Sequence, residues 1–465
     1  MNILVEGGYV VSVDGNRRVI RDGAVVVEED RIVDIGKADE LKNKYPRYEV
    51  LNAKKKIIMP GLIDAHLHQT QMLARGLADD VDLITWIYKR ILPYEAVMDD
   101  HDVYLSALLC SMEAIKTGTT YAVDPGGYRM ENVAKAMTEI GIRGLIAWAS
   151  MDVDDPARPV PKELKTSTDE AVKRNEELLK RCQGMGGGRI TVWCGLRVEP
   201  NASAELIRKI NDLAVKHGVG VEMHNAVSKE QMEWVLKRTG KTTVEYLDSL
   251  GVLGPHWLLI HMGWITDKEV HLLKEKDVKI AHVPGASMKG AYGSIAFGKF
   301  PELLSNGVTV CLGCDSCAAN NSLDMFRAMY LAATAHKEVR YDPDLVLPEE
   351  ALEMATIQGA KALGQESMVG SIEKGKKADL IIINPNNSNW VPNHDFALIP
   401  NIVYSGEGRD VETSIIDGKI VMENRKMQTI DELKVLEESQ KASERILDRL
   451  AAKFGLKLEP RWHFI

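Results

Sequence analysis

The sequence predicts an α/β chain: a closed (β/α)8 barrel of the TIM type, joined to a small β-sandwich built from both chain ends. Three observations carry that expectation. Eight short, almost continuously apolar runs fall between residues 61 and 315, as strands buried on both faces do. Most are separated by stretches of helical period such as AELIRKINDLAVKHG and ITDKEVHLLKEK. Before and after this region the text alternates apolar and polar residues with turn signals between, which is the period of half-buried strands. A doubly wound open sheet is the runner-up.

In chain order, VEGGYVVSVDGN and GAVVVEEDRIVDIG read as antiparallel strands, so residues 1–58 form the first part of the sandwich. The barrel is expected over 59–366, its strands being GLIDAHLH, GTTYAVDP, GLIAWASM, ITVWCGLRV, VGVEMH, WLLIHM, VKIAHVP and VTVCLGCD. Strand text returns in GSIEKGKKADLIIINP and ETSIIDGKIVMENRKM, which assigns 367–428 to the rest of the sandwich. Residues 429–465 hold an amphipathic helix through Leu433, Leu436, Ile446, Leu447 and Leu450, expected to pack on its own barrel.

With 465 residues, 45% of them hydrophobic, the chain can bury a large core. A formal net charge of −9 argues against a nucleic-acid partner, which needs clustered Lys and Arg. The start MNILVEGGYVVSVDG lacks the basic and apolar regions of a signal peptide, and no apolar run has membrane-spanning length. Six cysteines in so long a chain do not make a disulfide framework, so a reduced, cytoplasmic compartment is expected.

The chemistry is expected at strand ends. His66 and His68 are two apart after the first barrel strand, and His224, His261 and His282 each end a later one. In a barrel, the carboxyl ends of the strands are where sites are built. A core histidine explains one such position but five of them poorly. Asp315 ends the eighth strand, and alternation places it on one face with Cys311 and Gly313. The C-x-x-C-x-x-C spacing of Cys311, Cys314 and Cys317 suggests a metal–sulfur site, but the same alternation sends the sulfurs apart and no cysteine follows Cys317. Neutral imidazoles with one carboxylate suit a divalent ion that keeps a position open for water.

PGLIDAHLH, VEMHN, LLIHMGWITDKE, AHVPGASMKG and LGCDSCAANNSLDMFRAM resemble, in order, the signature segments of the metal-dependent amidohydrolase superfamily. Within it they are most similar to the branch of S-adenosylhomocysteine and guanine deaminases and triazine hydrolases. The resemblance implies that His66, His68, His224 and Asp315 hold one divalent metal per chain, zinc in first place, with iron, cobalt or manganese as alternatives. It implies that Asp315 moves protons and that His261 hydrogen-bonds the attacked group or the water. Strand four has no lysine, which points away from the two-metal variant.

Two departures bear on the substrate. Deaminases of this branch have glutamate three residues after the strand-five histidine, where this sequence has Val227. GAS at 285–287 stands where the branch has S-S-N. Glu222 is read either as a core ion pair with Arg197 or as a relocated proton carrier, and Glu230 lies one helical turn on. Trp86, in the long segment after strand one, is expected to line or cover the pocket, which also takes in Glu222, Val227 and His282 as candidates. The missing glutamate makes cleavage of a C–N or C–S bond at a urea- or carbamate-type carbon of a small molecule the leading reading. Phenylurea and molinate hydrolases act on such groups. The alternative is an aminohydrolase of a purine, pterin or triazine ring, and the third reading is a binding protein on a retained fold. A homo-oligomer without membrane partners is expected.

Overall fold

The computed structural model describes residues 2–153, 155–460 and 462. Eight parallel strands form the barrel: β1 (Leu62–Asp64), β2 (Thr119–Gly127), β3 (Arg143–Ser150), β4 (Cys194–Val198, preceded by the short Ile190–Val192), β5 (Val221–Asn225), β6 (Trp257–His261), β7 (Lys279–His282) and β8 (Val310–Leu312). Each pairs with its sequence neighbour. The ring closes between its last and first strands, where the Ala65 amide donates to Leu312 O (2.9 Å) and the Asp315 amide to His66 O (2.7 Å). Every residue of β2 and β3 is buried, which is why these strands read as unbroken apolar runs.

The helices between strands start and stop where their end residues dictate. The helix Ala204–His217 begins at Ser203, whose hydroxyl accepts from the Leu206 amide, and ends at Gly218 in the left-handed region (φ 65°). The helix Asp267–Glu275 starts with a reciprocal Thr266–Glu269 box.

The two chain ends meet in one hydrogen-bonded nine-stranded sheet. The strand Glu49–Pro60 joins them: it runs parallel to Asn2–Val11 and, through Ile57–Pro60, antiparallel to Leu380–Ile383. Arg143 at the start of β3 ties this sheet to the barrel, donating to Asp379 (2.6 and 3.1 Å) and Asp417 (2.8 Å) with all three groups largely buried.

The C-terminal helix, Glu432–Phe454, packs on the helix Asp100–Lys116 of its own barrel and is anchored by Arg449 on Asp99 and Asp102. Its buried stripe differs from the expected one: Val435, Ser439, Ala442, Ile446 and Leu450 face inward, whereas Leu433, Leu436 and Leu447 are exposed. Ser439 and Ala442 are small enough to let the helices approach. Counting only large apolar side chains selects a different face.

Candidate active site

At the mouth of the barrel the strands stop being regular, and that is where the candidate side chains converge. His66 and His68 lie just beyond β1, with ring centroids 4.9 Å apart. His224 comes from β5, and its Nε2 stands 3.2 Å from His68 Nε2. Its Nδ1 is 2.7 Å from Arg197 O, an acceptor only, so Nδ1 carries the proton and the Nε2 lone pair faces the cluster.

Asp315 reaches the same point by a route that alternation does not describe. Strand β8 ends at Leu312, and Asp315 sits in the left-handed region (φ 67°) with its amide on His66 O. Gly313 permits that approach, because a Cβ there would fall 2.7 Å from the His66 Cβ. Asp315 Oδ1 is 3.6 Å from His66 Nε2 and 3.8 Å from His68 Nε2, and Oδ2 is 3.9 Å from His261 Nε2. His261 also has positive φ (76°). Backbone held in such sparsely populated regions clusters at functional sites.

The donor set fits a metal ion. One ligand atom each from His66, His68 and His224 lie within 4.8 Å of one another, and so do those of His66, His261 and Asp315. Both ring nitrogens of His66 are buried without a hydrogen-bond partner, an arrangement costly to leave uncompensated. Burial first, then the neighbouring imidazoles, pushes His68 and His224 well below the ordinary histidine value. Burial takes His261 down to about 3 against the opposing pull of Asp315. Burial alone would raise the Asp315 carboxyl, but the nearby His66 and His261 imidazoles and the Ser316 amide leave it below its usual value. Neutral imidazoles and an ionised carboxylate are the forms that bind a cation.

Beside the cluster lies a small chamber of about 30 Å3, walled by Leu83, Trp86, Ile87, Val198, Val227 and Tyr292, with Arg197 also on its wall. Leu83 and Tyr292 also border an outer vestibule of about 560 Å3, which is lined by Asp80, Asp82, Glu230 and Lys289 among others. Trp86, on the wide-turn helix Thr85–Ile91, covers the chamber and donates from Nε1 to Ala318 O (3.3 Å). Val227 is on the wall, and its amide donates to Gln231 Oε1 (3.0 Å). Tyr292, which sequence periodicity did not single out, sets its ring perpendicular to that of His261 at 6.4 Å. Burial, then Asp315, raises its phenol.

Three expectations fail. Arg197 does not pair with Glu222. Register sets Glu222 opposite Gly195 and Leu258, two residues short of Arg197, whose guanidinium meets Glu95 at 3.3–3.4 Å instead. Glu222 is fully buried with neither oxygen hydrogen-bonded, and burial followed by the charge of Asp124 raises its carboxyl well above the usual range. His282 does not line the chamber: its ring stacks on Phe300 at 3.6 Å and its Nε2 faces His336 Nε2 at 3.2 Å. Glu230 stays exposed in the vestibule. Ser287 of the GAS segment is taken up locally by Ser294.

The three sulfurs of VCLGCDSC go to separate partners: Cys311 to Ile280 O, Cys314 to Met325 Sδ and Cys317 to Arg75 Nη2. No helix among the described residues is long and apolar enough to cross a membrane.

Known proteins resemble the chain along nearly its whole length. It is 37% identical over 424 residues to a 5'-deoxyadenosine deaminase of Methanobrevibacter smithii, covering 91% of this chain and 94% of that one. It is 36% identical over 447 residues to a 5-methylthioadenosine/S-adenosylhomocysteine deaminase of Caldanaerobacter subterraneus, covering 96% and 99%. Among solved structures, an adenosine deaminase of Xanthomonas campestris with bound zinc superposes with a TM-score of 0.86 at 26% identity, covering 96% and 98%. A model of a bacterial imidazolonepropionase-like composite domain matches residues 23–47. The model of the amidohydrolase family matches residues 57–421, and the chain belongs to that family of enzymes acting on carbon–nitrogen bonds.

Proposed function

We propose that the protein is a metal-dependent aminohydrolase that removes an exocyclic amino group from a nitrogen heterocycle, with an adenine nucleoside as the first candidate. The observation that carries this reading is the pair of ligand triads that share His66, namely His66, His68 and His224 and His66, His261 and Asp315, beside an apolar chamber. The adjoining vestibule, at about 560 Å3, falls within the range of small-molecule sites. The relatives named as deaminases of 5'-deoxyadenosine and of methylthioadenosine or S-adenosylhomocysteine support the ring substrate over a urea or carbamate.

His66, His68, His224 and Asp315 would hold one divalent ion, with zinc favoured by the zinc-bound relative. When bound, the metal supplies a Lewis acid that makes hydroxide available near neutral pH. Arg197 O fixes the tautomer of His224, and Trp86, Ile87 and Leu83 keep bulk water from the chamber. Asp315 takes a proton from the attacking water and passes it to the departing amine. His261, held neutral, donates a hydrogen bond to the oxygen as it adds to the ring carbon. In the vestibule there is room for whatever the ring carries, such as a sugar with its 5' substituent.

The urea-type reading draws on one feature, the valine at 227 where an acid would serve ring chemistry. A panel of adenosine, 5'-deoxyadenosine, 5'-methylthioadenosine, guanine, aminotriazines and phenylureas separates the two. The zinc-loaded protein should release ammonia from at least one ring amine, and the chelated protein from none. Amine release from phenylureas, with every ring amine inert, would refute the aminohydrolase.

A further inference from the structure

Removal of a ring amino group needs a group that the metal centre does not provide. As water adds to the ring carbon, a C–O bond forms and the C=N π pair moves to the neighbouring ring nitrogen. That nitrogen needs a hydrogen-bond donor in the transition state. At 227 the chamber offers only a valine side chain. Among the described residues on its wall, the side chains bearing N–H or O–H, apart from the metal-binding set, are Trp86, Arg197, His261 and Tyr292. Trp86 Nε1 is spent on Ala318 O, the Arg197 guanidinium is turned to Glu95, and His261 faces Asp315.

Tyr292 is differently placed. Its phenol oxygen makes no hydrogen bond with the described residues, yet it is not sealed off, and the side chain borders both the chamber and the vestibule. The field of Asp315 reaches it. Its backbone is pinned at both ends: the amide donates to Ser287 O (3.0 Å) and the carbonyl accepts from Trp264 Nε1 (2.6 Å). The ring lies over Gly290, where a Cβ would come within 2.3 Å of the ring and 2.8 Å of the hydroxyl. A glycine there is what gives the phenol its place.

We propose that Tyr292 donates the hydrogen bond to the ring nitrogen beside the attacked carbon, standing in for the acid absent at Val227. The proposal rests on the aminohydrolase reading and narrows its substrates to rings with an unsubstituted, pyridine-type nitrogen next to the amino-bearing carbon. The phenol keeps its proton throughout. Asp315 takes the two water protons in turn, delivering one to the ring nitrogen, where it replaces the phenol's hydrogen bond, and one to the departing ammonia, so the sum is ring amine plus water to ring carbonyl plus ammonia.

The test uses the zinc-loaded protein and Tyr292→Phe, which keeps the ring over Gly290. On the best ring amine of the panel, kcat should fall ~100-fold, with KM within roughly threefold and zinc content unchanged. Two ligands with no amino group to lose then read the contact itself. Purine riboside should bind Tyr292→Phe about 10-fold more weakly, whereas 1-deazapurine riboside, which lacks the nitrogen, should bind both proteins alike. Unchanged kcat, equal weakening of both ligands, or a nitrogen-selective loss in Arg197→Lys instead would each overturn the proposal. Absence of ammonia from every ring amine in the unsubstituted protein would instead strike the aminohydrolase reading.

Discussion

Glu199→Gln should remove much of the pH dependence of stability above pH 5. Glu199 leaves the end of β4 fully buried, and its carboxyl accepts from Asn225 Nδ2 and Gln231 Nε2. Gln231 in turn takes the Val227 amide, so this group anchors the turn that follows His224. Burial outweighs both donors and pushes the Glu199 carboxyl up to about 8 from 4.5. The folded protein therefore holds a proton that the unfolded chain gives up, and stability is lost as pH rises from about 4.5 through about 8. At ~1.4 kcal/mol per unit the full loss is about 5 kcal/mol, of which about 4 has accrued by pH 7.5. Glutamine is neutral throughout and keeps the shape. Asn225 Oδ1 has no partner and can accept from the new amide after a flip, so the exchange trades one orphaned atom of that amide for the other rather than adding one. Urea unfolding of both zinc-loaded proteins between pH 5 and 9 reads the difference. Asp64 and Asp124, each raised to about 6 by burial, titrate in both proteins and cancel. The two should match near pH 5 and diverge in favour of the variant towards pH 8. Parallel profiles would mean that Glu199 is ionised in the fold and that its two donors outweigh burial.

Asp315→Asn retains an oxygen donor but cannot carry a proton, so turnover should drop at least ~100-fold in protein shown by metal analysis to be loaded. Normal turnover with metal present would remove Asp315 from the proton path. Arg197→Met leaves Glu95 buried with, among the described residues, only Gln71 Nε2 (2.8 Å) as partner, which should cost about 3–5 kcal/mol in unfolding free energy. Adding Glu95→Gln should recover part of that loss, and a strictly additive double variant would show that the two side chains do not interact.

The barrel was legible because parallel strands covered on both faces leave apolar runs that few other structures produce. The histidines were legible for a related reason: polar residues ending such runs must lie at a barrel mouth. Asp315 was assigned to the right place by the wrong path, since alternation ends at Leu312 and a left-handed aspartate leaves no periodic mark. Tyr292 was invisible to periodicity because it lies in the irregular link after β7. The flanking glycines of KGAYGS are the one local sign that something bulky needed space there. The Glu222–Arg197 pairing failed on register: adjacent strands bring two residues level only if their starts are known, and here Gly195 takes the place opposite Glu222. Glu95 could not be foreseen as the true partner, because it arrives on a helix of the long segment after β1, 102 positions away in sequence.

That register also decides where protons can travel. Strand β5 carries an acid two residues before its histidine and an apolar side chain three residues after it. If Glu222 served as the relocated proton carrier, its carboxyl would have to open onto the chamber. Instead it is sealed in the barrel, fully buried and off the chamber wall, with burial and Asp124 holding it in its protonated form. A proton on Glu222 therefore has no described path to a ring in the chamber, whatever its affinity. On the aminohydrolase reading proposed above, the exchange of protons with substrate then runs along the chamber side, through Asp315, with hydrogen-bond donors drawn from the wall.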